Sequence, residues 1–225
     1  MEKLPQGIKA ALIDMDGVLY DSMPFHARAW HQLFTELGVK SNPDEYYLYE
    51  GMTGADTIGM ILKRELNQDT TLEERKEIYA RKSDLFKDFG EKRLMPGAAE
   101  MLAALKSLGL STVLVTGSAQ GNLLDSVNID YPGYFPKERM VTGNDVNKGK
   151  PHPEPYLRGL EKAGVKASQA IVVENAPLGV RAGKAAGCFT IAVTTGPIPR
   201  EVFEKEGADL IFPDMISFAR WLENI

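Results

Sequence analysis

The chain has 225 residues, 44% of them hydrophobic and 25% charged, with a formal net charge of −5. This is the composition of a globular protein with one sizeable core and room for an insertion, and it excludes disordered and membrane-like classes. Basic residues alternate with acids, no apolar run approaches the roughly 18 residues of a spanning helix, and MEKLPQG has no apolar leader region, so neither a nucleic acid nor a membrane is an expected partner and a cytoplasmic location is expected.

The first apolar run, IKAALI (8–13), reads as a buried strand that ends on the carboxylates of DMDGVLYDS. From Ser22 to about Arg93 no strand pattern follows. Trp30, Leu33, Phe34 and Leu37 form a helical stripe that stops at Gly38, and Leu72 to Phe89 reads as a long amphipathic helix. The chain returns through RLMPG, so two connections, near Ser22 and Leu94, join a helical insertion to the main body and can act as a hinge. MPGAAEMLAALKSLG then places a proline near a helix start and a glycine at its end, a punctuation repeated in PEPYLRGLEKAG and PLGVRAGKAAG. Between these helices lie the strand runs STVLVT (111–116), RMVTG (139–143), AIVVE (170–174), FTIAV (189–193) and ADLIF (208–212). Strands alternating with helices predict an α/β fold, a doubly wound parallel sheet covered on both faces. The expected division is a core of residues 1–21 and 95–225 with a small all-helical cap at 22–94. Cys188, the only cysteine, reads as a small buried hydrophobe.

In such a sheet, ligands bind beyond the carboxyl ends of the strands. Asp14 and Asp16 follow the first strand, Thr116 to Ser118 the second, Lys150 lies after the third, and Glu174 and Asn175 close the fourth. Crowded carboxylates call for a cation, and hard oxygen donors without imidazole or thiolate favour Mg²⁺. A lysine and a threonine beside them suggest an anion, which makes phosphoryl transfer the natural chemistry. Alone, each residue has an ordinary reading as a turn, a cap or a surface charge.

The motifs DMDGVLYDS, VLVTGS, KGKPHPEPY and VVENAPLGVRAGKAAG, in this order, resemble those of the haloacid dehalogenase-like phosphotransferases, in particular the β-phosphoglucomutase-like group with a Rossmann-like core and a helical cap. The resemblance covers essentially the whole chain. It implies that Asp14 is the nucleophile that becomes an aspartyl phosphate and that Asp16 is the acid and base for the leaving oxygen and for water. It further implies that Thr116, Gly117 and Ser118 hold phosphate, that Lys150 neutralises charge, and that Asp14, Asp16, Glu174 and Asn175 surround Mg²⁺. On the cap side it implies Ser22, His26, Thr53 and Lys82 as phosphate or substrate contacts, with Trp30 as an aromatic neighbour. The expected partner is a small phosphorylated metabolite, and the expected state a monomer or weak dimer.

Two departures stand out. The family commonly has two adjacent acids after the fourth strand, whereas Glu174 is followed here by Asn175, an amide that either contacts the metal or caps the following helix. In YEGMTGADT, Gly54 stands where β-phosphoglucomutases carry an arginine that clasps the second phosphate; Arg28, Arg64 and Arg81 are the candidates to replace it. A phosphatase of sugar or polyol phosphates is therefore expected, with β-phosphoglucomutase and a non-catalytic metabolite-binding protein as the alternatives.

Overall fold

The structure, a computed structural model, describes residues 3–89, 93–118 and 121–225. The first strand, β1 (Ala10–Ile13), is fully buried. The helices α1 (Met23–Glu36), α2 (Gly54–Leu66) and α3 (Leu72–Phe89) follow, with a 3-10 turn at Pro43–Tyr49 between the first two. The remainder alternates: α4 (Ala98–Ser107), β2 (Ser111–Val115), α5 (Gly121–Asp130), β3 (Met140–Val141), α6 (Glu154–Ala163), β4 (Ala170–Glu174), α7 (Pro177–Ala185), β5 (Phe189–Val193), α8 (Arg200–Lys205), β6 (Leu210–Phe212) and α9 (Met215–Leu222).

The six strands form one parallel sheet in the order β3-β2-β1-β4-β5-β6. The expected α/β doubly wound sheet is thus the one observed, and each of the six apolar runs contains its strand. The chain winds outward from β1 through β2 to β3, then crosses back to β4, so the order reverses beside β1 and opens a crevice at the strands' carboxyl ends. Because the sheet is buried on both faces, its strands are continuous apolar runs. On one face Met101, Leu102 and Leu105 of α4 pack with Met215 and Phe218 of α9; on the other, Tyr156 and Leu160 of α6 pack against Leu12, Val113 and Val172.

The helical insertion has its own apolar cluster: Ala27, Trp30, Leu33 and Phe34 of α1 meet Tyr46, Ile58, Ile61 and Leu62, with Ile78, Tyr79 and Leu85 of α3 against them. Phe34 stacks between Trp30 and Tyr46, with ring centroids 5.6 and 5.9 Å away. The two connections to the core run side by side. Asp21 N–H donates to the Arg93 carbonyl at 2.9 Å and Met95 N–H to the Leu19 carbonyl at 2.9 Å. Tyr131 Oη donates to that same Leu19 carbonyl at 2.6 Å, pinning the entry segment to the core.

Separate apolar clusters predict separable stability. Phe34→Ala is expected to cost about 3–5 kcal/mol, and the loss should be confined to the insertion. Hydrogen exchange should show faster amides in α1 to α3 and unchanged protection in β1, β2 and β4; equal loss in the sheet would contradict this.

Candidate active site

The site sits at the crevice where the strand order reverses. Just past β1, Asp14 is followed by a sharp turn in which Gly17, at φ +78, donates its N–H to the Tyr20 carbonyl at 2.7 Å. A Cβ on Gly17 would stand 1.9 Å from Nδ2 of Asn175. Glycine therefore permits both the left-handed turn and the close approach of the amide.

Lys150 is 1% exposed and donates its three protons to Asp14 Oδ1 (2.6 Å), Glu174 Oε1 (2.6 Å) and the Val115 carbonyl (3.1 Å). Glu174, fully buried, accepts also from Tyr156 Oη at 2.6 Å and from the N–H groups of Asn175 and Ala176 at 3.0 and 3.2 Å. A carboxylate has about four acceptor positions, so Glu174 is saturated and leaves no oxygen for an ion. Asn175 differs. Its Nδ2 donates to Glu50 Oε1 and Oε2 at 3.0 and 3.1 Å, while its Oδ1 is buried with no hydrogen-bond partner. The alternative role of Asn175 as a helix cap is not used: the residue at the start of α7 is Ala176.

The insertion supplies the opposite wall. Asp16 Oδ1 accepts from Ser22 Oγ at 2.5 Å and lies 3.2 Å from His26 Nε2. Because the Ser22 hydroxyl goes to Asp16, it does not cap α1. His26 Nδ1 pairs with Lys82 Nζ. With Lys82 as an ammonium, Nδ1 must accept, so Nε2 carries the hydrogen and donates it to Asp16. The His26 ring stacks on Phe86 at 4.0 Å, and Lys82 lies 5.0 Å from the Trp30 ring centroid. Helices α1 and α3 thus bring together two residues 56 positions apart.

On the core side, Thr116 Oγ1 accepts from the Ser118 N–H at 3.0 Å, and Thr116, Gly117 and Ser118 line the same pocket as Asp14, Asp16, His26 and Lys82. The segment after the 3-10 turn is laid over them: a Cβ on Gly117 would be 2.9 Å from the Gly51 carbonyl oxygen, and one on Gly51 2.7 Å from Lys150 Cδ. Trp30, Tyr46, Tyr49 and Tyr79 make the rest of the wall aromatic.

Two expectations need correction. Thr53 is the N-cap of α2: its Oγ1 accepts from the Asp56 N–H at 3.2 Å and donates to Asp56 Oδ2 at 2.6 Å, while the threonine that the insertion contributes to the pocket is Thr57. None of the proposed replacement arginines lines the pocket. Arg64 donates to Tyr49 Oη at 2.5 Å and to Glu45 at 3.1 Å, Arg81 pairs with Glu36 at 3.0 Å, and Arg28 lies 4.1 Å from the Phe89 ring centroid. At Gly54 itself there is no space, since a Cβ would meet the Tyr79 ring at 2.1 Å. Glu50, Tyr79 and Tyr156 are the contributors that sequence reasoning missed; only Tyr156 lay inside a recognised motif, KGKPHPEPY.

Electrostatics separate the two aspartates. Burial pushes the Asp14 carboxyl up to about 8; Lys150 opposes this, and the Glu174 and Asp16 carboxylates add to it. Burial would lower Lys150, but Asp14 and Glu174 hold it above its ordinary value and keep it an ammonium. Glu50 is held well above the usual carboxylate range by burial and by Asp14. For Asp16 burial also pulls upward, but His26 and the hydrogen bond from Ser22 outweigh it and keep the group below its ordinary value. Burial, and then Lys82, lower His26, while burial pushes Lys82 down to about 7.

Among the described residues no three His, Cys, Asp or Glu side chains form a ready-made chelate. A Mg²⁺ ion does not require such a cluster, since it keeps waters and binds through one or two carboxylates together with substrate phosphate. The unpartnered Oδ1 of Asn175 and the upward push on Asp14 both mark a place short of positive charge, so the residues present fit a hard divalent cation.

Residues 8–187 match the family model of the haloacid dehalogenase-like hydrolases. The chain belongs to this family. It is an enzyme of the haloacid dehalogenase-like type, and its relatives act on small phosphorylated compounds. Glycerol-1-phosphate phosphohydrolase 2 of Saccharomyces cerevisiae is 30% identical over 216 residues, covering 91% of this chain and 81% of that protein. Hexitol phosphatase A of Escherichia coli is 30% identical over 188 residues, 82% of each chain. A solved structure from Bacteroides vulgatus, named as a candidate β-phosphoglucomutase, superposes with a TM-score of 0.91 at 48% identity, covering 99% of this chain and 91% of that one. No helix among the described residues is long and apolar enough to cross a membrane.

The raised Asp14 has a pH consequence. Between its ordinary value of 3.8 and about 8 the folded protein holds a proton that the unfolded chain has lost, so stability falls as pH rises through that window. A divalent cation bound beside Asp14 would compete with this proton. The rise in Tm on adding Mg²⁺ should therefore be larger at pH 8 than at pH 5, as read by thermal denaturation; an equal or smaller rise at pH 8 would contradict the assignment.

Proposed function

We propose that this enzyme is a phosphatase of small phosphomonoesters, sugar or polyol phosphates in particular, that it uses Mg²⁺, and that it carries the phosphoryl group on Asp14. The observation that carries the phosphatase reading is the filled space at Gly54. A mutase must hold a second phosphate while the sugar turns around, and position 54 carries no guanidinium to hold it, the Tyr79 ring taking the space a Cβ there would need. Among the described residues lining the pocket there is no arginine, and Lys82 is already engaged with His26. The aromatic wall suits the C–H faces of a carbohydrate or polyol. The relatives named for glycerol-1-phosphate and hexitol phosphates support that substrate class.

Asp14 attacks phosphorus directly, since a carboxylate needs no base to act as nucleophile. Lys150, anchored on Glu174, offsets the charge on Asp14 and on the phosphoryl group, while Thr116 and the Gly117–Ser118 backbone orient it. Ser22 and His26 both engage Asp16 Oδ1 and hold the group ionised in the resting site, so Oδ2 first takes up a proton from solvent, gives it to the departing oxygen, and then takes one from the attacking water. Asp14 and the Asn175 Oδ1 would hold Mg²⁺, with Glu174 acting through Lys150. When bound, Mg²⁺ keeps Asp14 ionised and draws charge from the phosphoryl oxygens. The cytoplasmic location and the monomeric or weakly dimeric state belong to the same reading.

β-Phosphoglucomutase remains a second reading because of the 48% identity to the Bacteroides vulgatus structure. Phosphate release and conversion of β-glucose 1-phosphate to glucose 6-phosphate, followed side by side, separate the two. We expect Mg²⁺-dependent phosphate release from sugar or polyol monophosphates with negligible isomerisation; isomerisation faster than phosphate release would reject the phosphatase. Asp14→Asn should abolish both, and Asp16→Asn should lower turnover by about 10²–10⁴-fold. Unchanged turnover in Asp14→Asn would sink the aspartyl-phosphate route.

A further inference from the structure

Glu50 belongs to neither half of the mechanism above, yet it is 8% exposed and reaches from the cap into the core. Both oxygens of its carboxylate accept from Asn175 Nδ2. They decide which way the amide faces, since the flipped rotamer would set Oδ1 against a carboxylate. With Nδ2 committed to Glu50, Oδ1 is left buried and unpartnered, the state of an oxygen kept for a ligand. The segment carrying Glu50 is seated on the core: Gly51 abuts Lys150, and its carbonyl covers Gly117. Glu50 therefore arrives at Asn175 only with the cap closed.

Charge ties this contact to the cation. In the closed form Asp14, Asp16, Glu50 and Glu174 interact electrostatically with one another, and the ammonium groups buried with them are those of Lys150 and Lys82. Four carboxyl groups and two lysines are gathered here, and ionising all four carboxyls leaves a deficit that a divalent cation matches. An aspartate at position 175 would instead place a fifth carboxylate about 3 Å from Glu50, a direct like-charge contact. Asn175 and Glu50 are thus a matched pair, in which the charge absent from position 175 is supplied across the domain boundary.

We propose that Glu50 is a positioning residue that turns the Asn175 oxygen toward the divalent cation and couples cation binding to cap closure. The inference rests on the Mg²⁺ reading given under the proposed function. Because coupling is reciprocal, the cation favours the closed cap and closure tightens the cation.

The test uses the full-length protein without substrate, with Mn²⁺ as the probe. Its binding is followed by electron paramagnetic resonance, and closure by small-angle X-ray scattering. Mn²⁺ should compact the wild type. Glu50→Gln should bind Mn²⁺ about 5–50-fold more weakly, within the usual range of coupling between sites, and should not compact when it binds. Asn175→Asp should open the metal-free protein, whereas Glu50→Gln with Asn175→Asp should close again, because a glutamine amide can donate to the new carboxylate. Failure of the wild type to bind Mn²⁺ would overturn the metal reading and this inference with it. Wild-type affinity and compaction in Glu50→Gln, or simply additive effects of the two substitutions, would overturn this inference alone.

Discussion

The site depends on one buried ammonium. Lys150 holds Asp14 and Glu174 at 2.6 Å each, from a loop after β3, and so ties the ends of β1 and β4 together across the crevice. Buried carboxylates would otherwise repel one another unopposed, and removing one partner of a buried ion pair costs several kcal/mol, about 3–5. Tyr156 and two backbone N–H groups complete the shell of Glu174, which makes that residue the fixed anchor rather than a reacting group. Asp14 keeps its other oxygen for chemistry.

A second chain of contacts runs through the insertion. Lys82, His26 and Asp16 are linked in series, with Ser22 on the same Asp16 oxygen. Two aspartates separated by one residue are thereby placed in opposite environments: burial drives Asp14 toward its protonated form, whereas His26 and Ser22 keep Asp16 ionised. Turnover requires each to exchange its proton: Asp14 must be ionised to attack phosphorus, and Asp16 must be protonated to serve the departing oxygen. His26 and Lys82 come from the insertion, so this polarity is complete only when the insertion lies against the core.

Much of this was legible from sequence because it is local. Apolar β-branched runs fix the strands, and parallel topology brings the residues after them together, so the convergence of Asp14, Thr116, Lys150 and Glu174 was legible, while the roles expected of them came from the family resemblance. Thr53 shows the opposite: T-x-x-D is a helix-capping pattern, and that local role claims its hydroxyl. Glu50 and Tyr79 had no signature, because their meaning lies in what they touch across the fold, the Asn175 amide and the face of Gly54 that the Tyr79 ring fills. The departure at Asn175 pointed to the right place, but its reason became visible only with Glu50 beside it.

The central claim is that the phosphoryl group passes through Asp14. Rapid quenching of the enzyme during turnover of a ³²P-labelled sugar or polyol monophosphate, followed by peptide mapping, tests it directly. The account predicts an acid-stable, base-labile label on the peptide containing Asp14, formed and lost at the rate of phosphate release. Turnover with no label on that peptide, or with label on another residue, would contradict it.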